Sequence, residues 1–382
     1  MSRSLAKRAF IAGGHVTRFL GAKHPDFIWK KHADFGKREN PDLEYYIHEA
    51  INGALSNTQT PAEAVDKVWI GNFCGELFNN QGHLGAAAIG SHAGLLHKPS
   101  MRVEGACASG GLAFACALDS VQASSSDVAL VVGAEVQTTV SARVGGDYLA
   151  RASHYRRQRH IDDFTFPALF ARRIKACQEE LGYTPGDLGV LSAKAYANAN
   201  LNPKAHMHHV TMCAEVASAA GKLNPTFLGN AELHPYLRVS DCSQVSDGGA
   251  ALILCSEAGL QKLGIPMDQC VEVKGFSVAT GNLYEDSDPT CLHTTTAAAQ
   301  RAFEQAGIPP SAMGVAEVHD CFTVTEMLML EAIGLASRGE GAHMVRNGDL
   351  LLTGKLPCNT GGGLVGFGHP VGATGVKQLL EI

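Results

Sequence analysis

The chain has 382 residues, 45% of them hydrophobic and 18% charged, with a formal net charge of -6. Such a composition describes a folded chain with a large core, excludes disorder as the default state, and at this length calls for two or three domains or subdomains. No face-sized basic run offers a footprint for nucleic acid, and no apolar stretch approaches the ~18 residues of a membrane span.

In chain order, the segment up to Pro25 carries Arg3, Lys7, Arg8, Arg18 and Lys23 without an acid, a pattern that resembles an organellar presequence. An apolar strand expected over 8–13 starts so early that little is left to be cleaved. Next come a helix over 43–55 and strands over 65–71 and 101–103. The latter strand runs into a glycine-rich helix over 107–122, and a strand over 128–133 follows. The segment 137–236, rich in Arg, His and Tyr, reads as an insertion carried on this first unit. A strand over 250–255, after Ser246-Asp247-Gly248-Gly249, returns to the first sheet. The second half repeats the order: a strand over 270–276, a helix over 294–306, a strand over 315–318, a helix over 325–333, and a closing segment over 357–382 through glycines into a helix.

Alternating strands and helices predict an α/β protein with substantially parallel sheets. The repeated order predicts a duplicated β-α-β unit whose two glycine-rich helix starts, after Gly105 and Gly366, come together. The expected division is an N-terminal half over 1–136 completed by 237–260, a loop domain over 137–236, and a C-terminal half over 261–382. The second copy stops at Leu379-Leu380-Glu381-Ile382, where the first continues into another strand. A shortened C-terminal half is therefore expected.

Eleven cysteines, an odd number with no CxxC spacing, fit free thiols in an intracellular reducing compartment. A mitochondrial location is the expectation from the basic N-terminal segment, with peroxisomal and cytoplasmic locations open.

Three segments carry chemistry. Cys107, in Gly105-Ala106-Cys107-Ala108-Ser109-Gly110-Gly111, stands at a helix start, where the positive end of the helix dipole favours thiolate. His319-Asp320-Cys321-Phe322 follows an apolar strand, a strand-end position where α/β sites commonly lie. Gly368-His369-Pro370 begins the second glycine-rich turn. Taken alone, each of these residues has a bland reading as a buried cysteine or a hydrogen-bonding histidine.

Together they resemble a known family. Cys107–Gly110, His319–Phe322 and Gly368-His369-Pro370-Val371-Gly372-Ala373-Thr374-Gly375 look like the three signature segments of the thiolase superfamily, and His-Asp-Cys-Phe resembles its sterol-carrier-protein-type members. The resemblance runs nearly end to end. It implies a five-layered α-β-α-β-α fold, a loop domain over coenzyme A, and a homodimer or homotetramer. It implies acyl transfer between CoA and a 3-oxoacyl-CoA in fatty-acid and lipid metabolism. Cys107 would be the acylated nucleophile and His369 its base. His319 would join His369 in an oxyanion site, and Cys321 would be the second acid/base. It further implies that a glycine N–H from a loop beyond Ile382 shares a second oxyanion hole with the Cys107 N–H. CoA and acyl-CoA enter as substrates; no permanently bound cofactor and no metal is expected.

For the CoA phosphates, Arg156, Arg157 and Arg159 and the pair Arg172-Arg173 are candidates, since guanidinium forks suit phosphate. A solvated or subunit-contacting face is the other reading of these arginines. Ser246-Asp247-Gly248-Gly249 resembles the family segment that returns to the sheet near the pantetheine channel and reads mainly as structural; Ser246 and Gly368 are further candidates for contact with CoA. Gly361–Gly366 satisfies GxGxxG but lacks a preceding buried strand, which argues against a dinucleotide turn. His206, His208 and His209 lack partner ligands at metal spacing and are expected on the surface or facing CoA. Cys242 and Cys255 read as core residues. Two alternatives stay open: a catalytically silent thiolase-like acyl-CoA-binding protein, and a ketoacyl synthase of the same superfamily.

Overall fold

The computed structural model describes residues 5–382, so Arg3 of the basic N-terminal segment lies outside the described residues. Among the described residues six strands form: β1 (Ala9–Val16), β2 (Lys67–Gly71), β3 (Ser100–Val103), β4 (Val128–Glu135), β5 (Gly248–Ser256) and β6 (Val271–Glu272). They make one sheet in the order β3-β2-β4-β5-β1-β6. β2 runs parallel to β3 and β4, while β5 pairs antiparallel with both β4 and β1. The sheet is thus mixed where a substantially parallel one was expected, because β5 enters after the 137–236 segment from the opposite end.

Both faces of this sheet are covered, which is why β4 and β5 are buried along their whole length and read as unbroken apolar runs. On one face Val68, Ile70, Val128, Leu130 and Val132 pack against Tyr46, Ile47, Ala50 and Ile51 of the Leu43–Asn57 helix. Asp42 caps that helix by accepting from the Tyr45 N–H. On the other face Trp69, Ala129 and Val131 meet Phe114, Ala117 and Val121 of the Ser109–Gln122 helix and Ala373 and Val376 of the Val371–Glu381 helix. The Pro185–Leu201 helix, inside the expected insertion, belongs to the core as well: Ala195, Tyr196 and Ala199 sit in this cluster. Leu188 and Leu191 of the same helix join a third core with Val318, Cys321, Phe322 and Leu364.

The expected second sheet does not form among the described residues. The segment 270–276 gives only the two-residue β6, which pairs with β1 of the first sheet, and 315–318 gives a single bridge from Ala316 to Cys358. A run becomes a strand only when a neighbouring ladder satisfies its N–H and C=O groups, and here 270–276 finds two paired residues on β1 and 315–318 one bridge. The helices of that half form as expected, over His293–Ala306, Thr323–Ala332 and Val371–Glu381.

The two glycine-rich helix starts lie against each other. A Cβ on Gly110 would stand 2.7 Å from the Gly372 carbonyl oxygen, and one on Gly375 would stand 2.3 Å from the Gly111 nitrogen. Only hydrogen fits at these points, so the backbones of the two helices touch directly.

Candidate active site

Cys107 lies in the short Ala106–Ala108 turn just ahead of the Ser109–Gln122 helix. Ala106 holds a φ of 51°, a left-handed conformation that costs a non-glycine residue free energy. The Ser109 hydroxyl holds the turn by donating to the Ala106 carbonyl at 2.7 Å and accepting from the Gly105 N–H at 3.0 Å. Burial, and after it the charge of Glu135, pushes the Cys107 thiol up to about 12. The resting group is therefore a thiol. The thiolate expected from the helix start is overturned because desolvation outweighs the helix end. A base is needed to activate it.

His369 supplies one. Its backbone is fixed on both sides, the N–H donating to the Ser246 hydroxyl at 3.3 Å and the carbonyl accepting from Gln137 Nε2 at 2.8 Å. Its Nδ1 lies 2.6 Å from Thr374 Oγ1, and that hydroxyl spends its one hydrogen on the Pro370 carbonyl at 3.1 Å. Thr374 can then only accept from His369, which puts the ring hydrogen on Nδ1 and leaves Nε2 with a free lone pair. His369 Nε2 is buried and has no protein partner.

His319 faces it edge-on, with ring centroids 5.1 Å apart at 84°. The Cys107 sulfur and one nitrogen from each imidazole lie within 4.8 Å of one another. Burial lowers the His319 imidazole to about 4; burial and then the neighbouring His319 hold His369 well below the usual histidine range. Both rings are neutral near pH 7, one nitrogen a donor and the other an acceptor.

The second thiol completes the group. Cys321 is buried, with Sγ 3.8 Å from Thr325 Oγ1, and it stands close enough to Cys107 that the two thiolates would oppose each other. Burial first and that proximity second raise its thiol far above the usual value. The loop is pinned by Asp320, whose carboxylate accepts from the Leu364 N–H at 2.7 Å, and by Phe322, stacked on Phe170 at 4.2 Å.

Sequence reasoning missed Glu135 at the end of β4. Its buried carboxylate accepts from Asn72 Nδ2 and from the N–H groups of Phe73, Cys74 and Gly372, at 2.9 to 3.0 Å. It ties the strand ends to the start of the Val371–Glu381 helix. A lone acid closing an eight-residue apolar strand was the signal available.

The expected CoA contacts separate into two groups. Arg156, Arg157 and Arg172 are exposed, Arg157 donating to the Tyr284 carbonyl at 3.1 Å. Ser246 and Gly368 are buried against each other, and a Cβ on Gly368 would meet Ser246 Oγ at 2.5 Å. Their contacts are internal and position His369, in keeping with the structural reading of the Ser246 segment. His206 is likewise no surface residue: it is 1% exposed and bonded to Ser246 Oγ and the Ala22 carbonyl. An open cleft of about 740 Å³ on the 137–236 segment is lined by Arg143, Arg159 and His160 together with three aspartates, and contains none of the four reactive side chains. Cys107, His319 and His369 also have the donor types of a metal site, as do Asp288, Cys291 and His293; at the latter, Arg338 places a cation against the sulfur.

Residues 33–180 match the family description "Thiolase, N-terminal domain" and residues 275–382 match "Thiolase C-terminal domain-like". The acetyl-CoA acetyltransferase of Methanothermobacter thermautotrophicus is 33% identical over 350 residues, covering 91% of this chain and 87% of that protein. Human sterol carrier protein 2 is 28% identical, covering 98% of this chain and 65% of that protein. A solved structure described as an Ltp2-ChsH2(DUF35) aldolase superposes with a TM-score of 0.74 at 23% identity, over 97% of this chain and 88% of its own. Two family descriptions in order along the chain, a relative similar over most of both lengths and a shared fold lead to one conclusion: the chain belongs to the thiolase family.

Proposed function

We propose that this acyltransferase moves acyl groups between CoA and 3-oxoacyl-CoA through an acyl-Cys107 intermediate. The observation that carries the reading is the approach of the Cys107 sulfur to two neutral imidazole nitrogens, with His369 Nε2 left unpartnered. In cleavage, His369 Nε2 takes the Cys107 proton and the sulfur bonds to the 3-oxo carbon. That oxygen becomes an alkoxide, and its collapse breaks the C2–C3 bond. Cys321 delivers its proton to C2, which leaves as acetyl-CoA, and the acyl group stays on Cys107. The thiol of a second CoA gives its proton to the Cys321 thiolate as its sulfur attacks the acyl carbon, and the Cys107 sulfur leaves, taking its proton back from His369. Condensation is the reverse, with Cys321 removing the proton from acetyl-CoA.

Once protonated, His369 presents an N–H at Nε2, and beside it His319 offers another, so both rings serve the thioester oxygen. One such donor contributes on the order of ~3 kcal/mol to the barrier. The exposed Arg156, Arg157 and Arg172 are proposed contacts for the CoA phosphates. Assembly into dimers or tetramers is supported by the open edge of β3, where Met101 is 46% exposed. Eleven free cysteines support a reducing compartment, for which the mitochondrion is proposed.

Intact-mass measurement after mixing with acetyl-CoA should show one acetyl adduct, lost in Cys107→Ser. Cys321→Ala should keep the adduct yet form no acetoacetyl-CoA. A wild type without any adduct would point to a silent acyl-CoA binder, and condensation untouched by Cys321→Ala would point to a ketoacyl synthase route.

A further inference from the structure

Arg173 has no part in the chemistry above. It lies on the Thr165–Leu181 helix beside the exposed Arg172, but on the inner side, where it is half-buried. Only Nη1 of its guanidinium has hydrogen-bond partners among the described residues, the carbonyls of Pro289 and Cys291. Nε and Nη2 have none. No carboxylate among the described residues reaches it at ion-pair distance; Asp288 and Glu180 lie instead at 3.9 and 4.0 Å from Arg338. Asp288 favours the Arg173 charge only from beyond ion-pair distance. A cation partly withdrawn from water with so distant a counter-charge gains from an anion in contact, and a guanidinium fork fits a carboxylate on two oxygens at once.

The position of this cation narrows the anion. The guanidinium carbon sits 5.9 Å from the ring centre of Phe170, and Phe170 stacks at 4.2 Å on Phe322, the residue after Cys321. Arg173 and Cys321 stand near enough to influence each other electrostatically. The guanidinium therefore stands behind the two stacked rings that lead to the second thiol, within reach of an acyl chain that extends past them. The phosphates of CoA are held away from the thioester by the full pantetheine arm. We infer that Arg173 binds a carboxylate on the acyl group, so that the substrates of this site are 3-oxoacyl-CoA esters carrying a second, anionic carboxylate. The inference rests on the thiolase reading of Cys107.

A matched pair of six-carbon esters tests it. 3-Oxoadipyl-CoA ends in a carboxylate and 3-oxohexanoyl-CoA in a methyl group. Single-turnover acylation of Cys107, read by mass as the succinyl or butyryl adduct, gives a rate for each at equal, sub-saturating concentration. The wild type should prefer the carboxylated ester by roughly tenfold or more. Arg173→Gln should abolish that preference and Arg173→Lys should keep part of it. Equal rates in the wild type overturn the inference, and this result does not depend on any variant folding. A loss in Arg173→Gln that is equal for both CoA esters, and absent when the same acyl groups are presented as N-acetylcysteamine thioesters, assigns Arg173 to the phosphates and overturns it too. An adduct from the neutral ester alone keeps the thiolase reading while removing this one; no adduct from either ester removes both.

Discussion

At the scale of single residues, the decisive contact is the Thr374 hydroxyl, which accepts from His369 Nδ1 because its own hydrogen is committed to Pro370. Thr374→Val keeps the volume and removes the acceptor, so the imidazole loses the bond that fixes its tautomer and tilt. Acylation of Cys107 should slow by roughly tenfold to a hundredfold, the rate equivalent of a lost buried hydrogen bond, as measured by adduct formation from acetyl-CoA. His319 predicts a pH dependence. Burial holds its folded-state value at about 4, below the unfolded ~6.5, so in that window the unfolded chain binds the extra proton. This contribution to stability is complete above ~6.5 and is lost as the pH falls toward 4. His319→Asn should flatten that part of the acid side of a urea-denaturation profile. The four reactive side chains were legible in the sequence because each sits in a short motif at a turn. Glu135 was not, nor were the parts that Thr374 and Arg173 play. Their roles depend on what faces them across the fold, and Arg173 differs from its neighbour Arg172 only by its phase on one helix.

Among the elements, the contact between the Ser109–Gln122 and Val371–Glu381 helices sets the distance between nucleophile and base. It depends on glycine: a methyl group on Gly375 would meet the Gly111 nitrogen at 2.3 Å. Gly375→Ala should push the helices apart, costing about 1–3 kcal/mol by overpacking, read by chemical denaturation. The same variant should acylate more slowly, because Cys107 rides on one helix start and His369 on the other. Glycine at both starts was visible in the sequence, and so was their meeting, because two tight turns feeding two apolar helices leave few ways to pack. The strands were less evenly readable. β4 and β5 declare themselves by unbroken apolar runs that only a doubly covered sheet produces. The runs at 270–276 and 315–318 are interrupted by Glu272, Lys274 and Glu317, and a strand exists through its neighbours, of which these segments find almost none.

Across the molecule, the half that carries His319 and Cys321 is joined to the sheet through buried charge. Lys194, on the Pro185–Leu201 helix, pairs with Glu326 of the Thr323–Ala332 helix and donates to the Cys358 carbonyl at 2.9 Å. Lys377 stands 3.7 Å from Glu317 and 3.6 Å from Glu381. Removing one partner of such a pair strands the other charge out of water. Lys194→Met should therefore destabilise the chain by about 3–5 kcal/mol in urea unfolding, far more than any surface ion pair would. The division of labour between backbone and side chain has one more consequence. Where thiol meets base, main chain rests on main chain, and nothing there can be exchanged without disturbing the catalyst. Beside the second thiol the stacked rings of Phe170 and Phe322, with Arg173 behind them, are replaceable side chains, so a library aimed at new acyl preferences belongs at Phe170, Arg173 and Phe322, and should leave the glycines alone.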